Sequence, residues 1–123
     1  MRLAEVGSVR NIDDDILRRR ALHVVSENDR VRRATVALAL HDMTTFGQLM
    51  NESHQSLRDN FEVSTAQMNE AVRNAQQTPG VFGARMTGGG FGGCIVIIAD
   101  ATINIDSLEG AMLVKPVGGA EII

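Results

Sequence analysis

The sequence predicts an α+β fold in which helices pack on a small antiparallel sheet. Its 123 residues are enough for one domain, which we assign to residues 1–123. Apolar residues recur at steps of three and four through residues 13–77, which is the period of amphipathic helices. After Pro79 and Gly80 the pattern changes to two continuous β-prone runs. A run of helices followed by strands is typical of this class.

The first two helices are predicted over residues 13–41 and 45–59. One of Asp13, Asp14 and Asp15 is expected to cap the first helix, since carboxylates suit a helix N-terminus. Two helices joined by a short connection should lie antiparallel. The expected inner stripe of the first helix comprises Leu17, Ala21, Val24, Asn28, Val31, Thr35 and Leu38.

The third helix, predicted over residues 65–77, has the clearest start. Ser64 and Gln67 stand at capping-box spacing, and Val63 and Met68 occupy the positions of a hydrophobic staple. The sequence Thr78-Pro79-Gly80 stops the helix.

A glycine-rich hairpin is predicted over residues 81–99. Five of the six residues from Gly88 to Gly93 are glycine, and we call these six residues the glycine segment. The second strand, 94–99, is continuously apolar, so we expect helices to cover it on both faces. A short last strand is predicted over residues 112–116, ended by Pro116.

The glycine segment satisfies G-x-G-x-x-G at Gly88, Gly90 and Gly93, but its context excludes a dinucleotide site. That fingerprint needs a helix after the glycines, whereas a strand follows here. A Walker A loop fails because Cys94 stands where the lysine is needed. Three interpretations remain: a tip that offers backbone N–H groups to an anion, a tip that packs beneath another loop that does so, or a mobile turn.

Composition narrows the class of protein. Hydrophobic residues make up 44% and charged residues 22%, as in ordinary globular domains. A net charge of −3 gives no general attraction to nucleic acid or to an anionic membrane. The arginines of residues 18–33 alternate with acidic residues, which favours a solvated helix face over a phosphate-binding patch. A single cysteine and the lack of a signal-type or membrane-spanning apolar stretch predict a cytoplasmic location.

Residues 83–96, GARMTGGGFGGCIV, resemble the third conserved motif of the galactokinase, homoserine kinase, mevalonate kinase and phosphomevalonate kinase (GHMP) superfamily, in its galactokinase form. Three further stretches are similar to galactokinase segments: RRALHVVSEN at 19–28, MNESHQSLRD with FEVS at 50–64, and KP with GGA at 115–120. The resemblance extends over about residues 8–121 in the family's order. It implies the superfamily's C-terminal domain, with a ferredoxin-like arrangement.

The resemblance implies transfer of the γ-phosphoryl group of ATP, with Mg²⁺, to the anomeric hydroxyl of galactose. In the family the glycine hairpin lies near the ATP phosphates. The implied contributors beside the phosphates are Gly88, Gly89, Gly90, Gly92 and Gly93 through their backbone, with Thr87 as a further hydrogen-bonding candidate.

The departures from the family pattern are equally informative. The sugar-binding signature, the serine-rich phosphate loop and the segment with the catalytic Asp are absent from these residues. We therefore assign no catalytic residue and no metal ligand, and expect productive binding of ATP and Mg²⁺ only with an N-terminal galactokinase half or fragment. The family places a helix before its last strand, but residues 100–111 are too few for one. The sheet is expected to lose one layer of cover and to expose an apolar patch.

Several polar residues remain as supporting candidates. Glu52, Ser53 and His54 are expected to face the hairpin and support it from behind the glycine segment. His23 and His54 are each isolated on a helix, so we expect helix-surface or structural hydrogen-bonding roles for both. Cys94 is expected to be a small buried apolar residue.

Two other functions are consistent with the sequence. A non-catalytic binding or interaction module would keep the small α and β domain and use the glycine segment for an anion, a metabolite or a partner protein. An inactive remnant of the enzyme would respond to no ligand.

Overall fold

The computed structural model describes residues 6–87, 93–108 and 110–114. Within these residues the structure has four α-helices and two strands: α1 (Val6–Val9), α2 (Asp15–Ala39), α3 (Met43–Ser56), α4 (Ala66–Gln77), β1 (Val81–Thr87) and β2 (Cys94–Ala99). A turn of π-helix over Leu57–Phe61 continues α3, and a 3₁₀ turn covers Ile105–Ser107. Helices packed on a small antiparallel pair of strands confirm the predicted α+β class.

The helix caps agree with the sequence at α2 and differ by one residue at α4. The Asp14 carboxylate caps α2 by accepting the Leu17 N–H at 2.9 Å. At α4 the cap is Thr65 and not the predicted Ser64, because Thr65 has the extended backbone that a cap needs and its hydroxyl oxygen accepts the Met68 N–H. The Ser64 hydroxyl instead donates to Asn69 Oδ1 at 2.7 Å.

The side of α2 that meets α3 is polar, which corrects the predicted inner stripe. His23 hydrogen-bonds Ser56, and Glu27 accepts the Ser53 hydroxyl. Of the predicted stripe, Leu17, Val31, Thr35 and Leu38 are exposed, Val31 to 64% and Leu38 to 47%. Ala21 of the stripe is buried and Val24 and Asn28 are half-buried, so the periodicity identified the helix and the middle of its inner side but not its two ends.

Helix α3 crosses strand β1 at two glycines. A Cβ atom built on Gly47 would lie 2.1 Å from the Phe82 carbonyl oxygen, and one built on Gly83 would lie 2.1 Å from the Gly47 carbonyl oxygen. Only residues without a side chain allow the two backbones to approach this closely. The crossing sets the position of α3 on the sheet, and the sequence analysis did not identify it.

The two strands form an antiparallel pair that runs from Val81 opposite Ala99 to Thr87 opposite Cys94, with a bulge at Phe82. Ile95 and Ile97 pack on a core of Val72, Ala75 and Ala84. The expectation that β2 is covered on both faces is wrong, because Cys94 and Val96 point to the other face and are exposed, Val96 to 44%. The expected apolar patch is therefore present on this face.

The predicted last strand, 112–116, is wrong over its described part. Met112, Leu113 and Val114 have no regular structure and are exposed, Met112 to 81%. Lys115 and Pro116 lie outside the described residues. The segment from Asp100 to Ala111 forms turns and the 3₁₀ turn, with no α-helix among its described residues. In the described ranges, no helix combines the length and the hydropathy needed to cross a membrane.

Candidate functional site at the end of strand β1

The candidate site surrounds the point where β1 leads into the glycine segment. Gly88, Gly89, Gly90 and Gly92, which the sequence assigns to the phosphates, lie outside the described residues. Thr87 and Gly93 flank them, and Thr87 pairs with Cys94 across the hairpin. Cys94 is exposed, which corrects the expectation of a buried thiol, since it begins the uncovered face of β2.

Side chains of α3 and α4 form hydrogen bonds with backbone groups on the outer edge of β1. Asn51 Oδ1 accepts the Ala84 N–H at 2.9 Å, and His54 Nδ1 accepts the Met86 N–H at 3.2 Å. Gln76 Nε2 donates to the Ala84 carbonyl oxygen at 3.3 Å. These bonds stand where a neighbouring strand would otherwise pair, and they tie both helices to the strand.

The protonation state of His54 follows from its partners. A backbone N–H only donates, so Nδ1 is unprotonated and the proton lies on Nε2, which donates to Asn69 Oδ1 at 3.0 Å. His54 is 3% exposed. Burial lowers its pKa, the hydrogen bond to Asn69 acts in the opposite direction, and Arg58 and Arg85 lower the pKa further. The His54 ring is neutral, and its two hydrogen bonds link α3 to α4 and to β1.

An ionic cluster links α2, α3 and β1 beside His54. The Glu27 carboxylate accepts the Ser53 hydroxyl at 2.8 Å and the Arg30 guanidinium at 2.5 Å. Arg85 on β1 donates to Ser53 Oγ at 2.9 Å and lies 3.7 Å from the same carboxylate. We call Glu27, Arg30, Ser53 and Arg85 the Glu27 cluster. The Glu27 cluster holds the side chain of Arg85, which lies two positions before Thr87.

Of the three supporting candidates, the structure brings Ser53 and His54 to β1 and leaves Glu52 apart. Glu52 is exposed and lines two open cavities, one of about 350 Å³ between α3 and α4 and one of about 380 Å³ between α2 and the end of α3. It faces solvent because neighbouring residues on a helix point in directions about 100° apart. Glu52 is absent from the hydrogen bonds that hold the described part of the hairpin.

A second buried histidine links α2 to the end of α3. His23 Nδ1 lies 2.8 Å from Ser56 Oγ, and its ring stacks on Phe61 with a centroid distance of 4.8 Å. His23 is 8% exposed, and burial lowers its pKa, with Glu27 acting in the opposite direction and Arg30 and Arg85 lowering it. Both histidines are thus structural hydrogen-bonding residues in the interior and not on a helix surface.

The arginines at 19 and 20 also have structural roles. Arg19 donates to the Asp59 carbonyl oxygen at 3.0 Å and Arg20 donates to the Asn60 carbonyl oxygen at 2.6 Å. Both form ion pairs with Glu62. These bonds satisfy carbonyl groups at the end of the π-helical turn. Both guanidinium groups are therefore engaged within the fold, which argues against the phosphate-patch alternative.

Sequence reasoning missed Glu27, Arg85, Asn51 and Asn69. The first two lie inside segments that carry the family resemblance, but their mutual contact joins residues 58 positions apart. No periodic pattern signals such a contact. Among the described residues, no three His, Cys, Asp or Glu side chains group at metal-binding distance.

The two buried histidines predict a loss of stability in mild acid. The unfolded chain binds a proton at each histidine as the pH falls through about 6.5, whereas the folded protein binds it only at lower pH. The free energy of unfolding is therefore highest above about pH 6.5 and falls below it, by up to about 1.4 kcal/mol per pH unit for each histidine. Urea denaturation between pH 5 and 8 measures the slope.

Variants distinguish the contribution of the histidines to the pH dependence of stability from that of the carboxylates. Asp59 and Glu62 have lowered pKa values, through hydrogen bonds to Arg58 and to Arg20 and Arg19 respectively. Their contribution is present above about pH 4.5 and is lost only as the pH falls further. His54→Asn should reduce the slope between pH 5 and 6.5, since it removes one of the two buried histidines with a lowered pKa. An unchanged slope in His54→Asn would contradict the assignment.

The fold and these contacts define a small α+β domain in which helices pack on the β1–β2 pair, and comparisons identify its class. The family model for the C-terminal part of GHMP kinases matches residues 34–111. The chain belongs to the GHMP kinase family.

Within that family the chain is similar to galactokinases. It is 51% identical over 84 residues to a galactokinase of Roseiflexus sp., covering 68% of this chain and 22% of that protein. It is 52% identical over 87 residues to a galactokinase of Clostridium acetobutylicum, covering 71% and 22%. The crystal structure of Lactococcus lactis galactokinase complexed with galactose matches with a TM-score of 0.74 and 40% identity, over 78% of this chain and 26% of that one. The chain spans about a quarter of the length of these relatives.

Proposed function

We propose that this chain is the C-terminal part of a galactokinase and supplies the glycine hairpin beside the ATP phosphates. The reaction would transfer a phosphoryl group from ATP to galactose. Such transfer depends on positioning and on neutralising phosphate charge more than on covalent chemistry by the protein. The contribution of this chain is backbone geometry at Gly88, Gly89, Gly90, Gly92 and Gly93, with Thr87 at the end of β1.

The observation that carries the proposal is the glycine segment joining β1 to β2 in a chain with about 50% identity to galactokinases. The relative of known structure is named as a complex with galactose, which supplies the proposed substrate class. The helices hold the leading strand of this hairpin at its outer edge through Asn51 and His54. The strand that leads into the glycine segment is therefore held in place, which supports a role of this end of the hairpin as a wall of a phosphate site.

Exposed apolar side chains support the proposal of a partner. On α2 they include Val31, Val36 and Leu38. Leu40, the C-cap residue that follows α2, is exposed to 72%, and Val96 is exposed on β2. Uncovered apolar side chains grouped along one helix mark surfaces that bind another protein part. The proposed partner is an N-terminal galactokinase half or fragment that brings the sugar site, the phosphate loop and the catalytic Asp.

The proposed cofactors are ATP and Mg²⁺, which act in the assembled enzyme. When bound, Mg²⁺ would neutralise charge on the phosphates. We assign no Mg²⁺ ligand to this chain and derive no step through the ion. A cytoplasmic location belongs to the same proposal and rests on the single cysteine.

Complementation tests the proposal. The pure chain is assayed with galactose and MgATP alone and with an N-terminal galactokinase fragment that ends before the region matched here. We expect no turnover from the isolated chain and turnover from the mixture. Turnover by the isolated chain would contradict the claim that it lacks catalytic groups.

A pair of surface variants tests the partner surface in the same assay. Val31→Asp places a charge on the exposed apolar side of α2, and Asn74→Asp makes the same change of charge on an exposed position of α4. We expect the first to reduce complementation about tenfold and the second to leave it unchanged, since a buried unpaired charge costs more than an exposed one. If the wild-type chain gives no complementation but its amide resonances respond to phosphate or ATP, the binding-module function replaces this one. With neither response, the chain is an inactive remnant.

A further inference from the structure

Two consecutive residues of α3 hold two consecutive residues of β1. Ser53 Oγ accepts a hydrogen bond from the Arg85 guanidinium, and His54 Nδ1 accepts one from the Met86 N–H. The next residue, Thr87, is the last of the strand. The two bonds differ in kind, because one holds a side chain and the other holds the backbone.

Each of the two residues has a single available orientation. Ser53 is 4% exposed, and its hydroxyl donates to Glu27 while it accepts from Arg85. His54 uses both ring nitrogens, with Asn69 as the second partner. Buried polar groups that are hydrogen-bonded on two sides restrict how the elements that they join, here α3 and β1, can be arranged.

We infer that Ser53 and His54 are positioning residues that fix the end of β1, and with it the place where Thr87 stands beside the phosphate site. The inference rests on the proposed function for its catalytic consequence, but the geometry at β1 is testable on this chain alone. Ser53 acts through Arg85 and restrains the rotation of the strand. His54 acts through the Met86 backbone and restrains the separation of the strand from α3.

The alternative is that both residues merely satisfy polar groups in the interior. Two substitutions of His54 distinguish these roles. His54→Asn keeps an acceptor near the position of Nδ1 and loses the bond to Asn69, whereas His54→Gln keeps a donor that reaches toward Asn69 and loses the acceptor for Met86. A general loss of packing would affect both variants alike, but positioning through Met86 affects only the second.

The matched control for Ser53 is Ser56. Both are buried serines on α3 with hydrogen-bonded hydroxyls, but the hydrogen-bond partners of the Ser56 hydroxyl are His23 and Asn60, which lie outside β1. Ser53→Ala and Ser56→Ala each remove a buried, hydrogen-bonded hydroxyl from α3, so a loss of stability alone does not distinguish them. Only Ser53→Ala should alter the environment at the end of the strand.

The first experiment measures amide hydrogen exchange and amide chemical shifts on the isolated chain. We expect Met86 to exchange about tenfold faster in His54→Gln than in His54→Asn, with shifts at Thr87 and Gly93 in His54→Gln and Ser53→Ala but not in Ser56→Ala. Equal exchange of Met86 in the two His54 variants, or shifts in Ser56→Ala as large as in Ser53→Ala, would overturn the inference.

The second experiment uses the chain assembled with the N-terminal galactokinase fragment. We expect His54→Gln to raise the KM for MgATP about tenfold while the KM for galactose stays unchanged, with substantial rescue in His54→Asn. Equal changes in both KM values would overturn the positioning role at the phosphate site. An inactive wild-type assembly would instead refute the proposed function, and the amide measurements would still decide whether Ser53 and His54 fix the end of β1.

Discussion

Gly83→Ala and Gly47→Ala should each destabilise the domain by about 3 kcal/mol or more. The added Cβ at either position would lie 2.1 Å from a backbone carbonyl oxygen of the other element. Backbone atoms of a helix and a strand cannot rotate away as a side chain can, so α3 and β1 must separate. For a domain of this size, the loss corresponds to a decrease in Tm of at least about 12 °C.

At Gly47 the expected change in stability has the opposite sign to the usual effect of this substitution. Replacing a glycine inside a helix with alanine ordinarily stabilises a protein by about 0.5–1 kcal/mol. Here the same change should be destabilising. The control is Gln48→Ala at the adjacent exposed position, where we expect a change within about 0.5 kcal/mol. Urea denaturation measures all three variants, and a gain in stability at Gly47 would show that α3 does not cross β1 there.

Glu27→Gln should lower the free energy of unfolding by about 2 kcal/mol. The change removes the one carboxylate of the Glu27 cluster, with which both Arg30 and Arg85 form ion pairs. Hydrogen bonds to charged groups contribute about 1.5–3 kcal/mol when they are shielded from water. The Glu27 side chain is 22% exposed, so this shielding is substantial. The urea midpoint should fall while the m-value stays the same.

Asp29→Asn provides the matched control on the same helix. Asp29 pairs with Arg32 at 2.8 Å, but both side chains are well exposed. Exposed pairs of this spacing contribute about 0.3–0.5 kcal/mol, so we expect a change of that order or less. Equal losses in Glu27→Gln and Asp29→Asn would show that the Glu27 cluster does not hold β1 to the helices.

The elements of the fold were largely predictable because their signals are local. Apolar periodicity and the three carboxylates of residues 13–15 indicated α2, and the change of period after Pro79 indicated the hairpin. The predicted strand at Met112–Val114 was wrong, since β-prone residues form a strand only where another strand is available to pair. Local preference therefore located the helices and the hairpin but not the whole sheet.

The candidate site was predictable only in part. The sequence identified the glycine segment and named Ser53 and His54, which the structure places against β1. It did not separate them from Glu52, their exposed neighbour, because one position on a helix changes the direction of a side chain by about 100°. The pairing of Glu27 with Arg85 was not predicted, because a contact between residues 58 positions apart leaves no local pattern in the sequence.

The sequence by itself determined the class of fold, the membership of the GHMP kinase family and the glycine hairpin. These depend on local periodicity, capping and a motif that can be read in a single stretch. Only the tertiary structure decided that α2 meets α3 through His23 and Glu27, and that Gly47 and Gly83 let a helix cross a strand in backbone contact. Such decisions depend on which side chains and backbone atoms meet across the fold, and distance in space is not encoded by spacing along the chain.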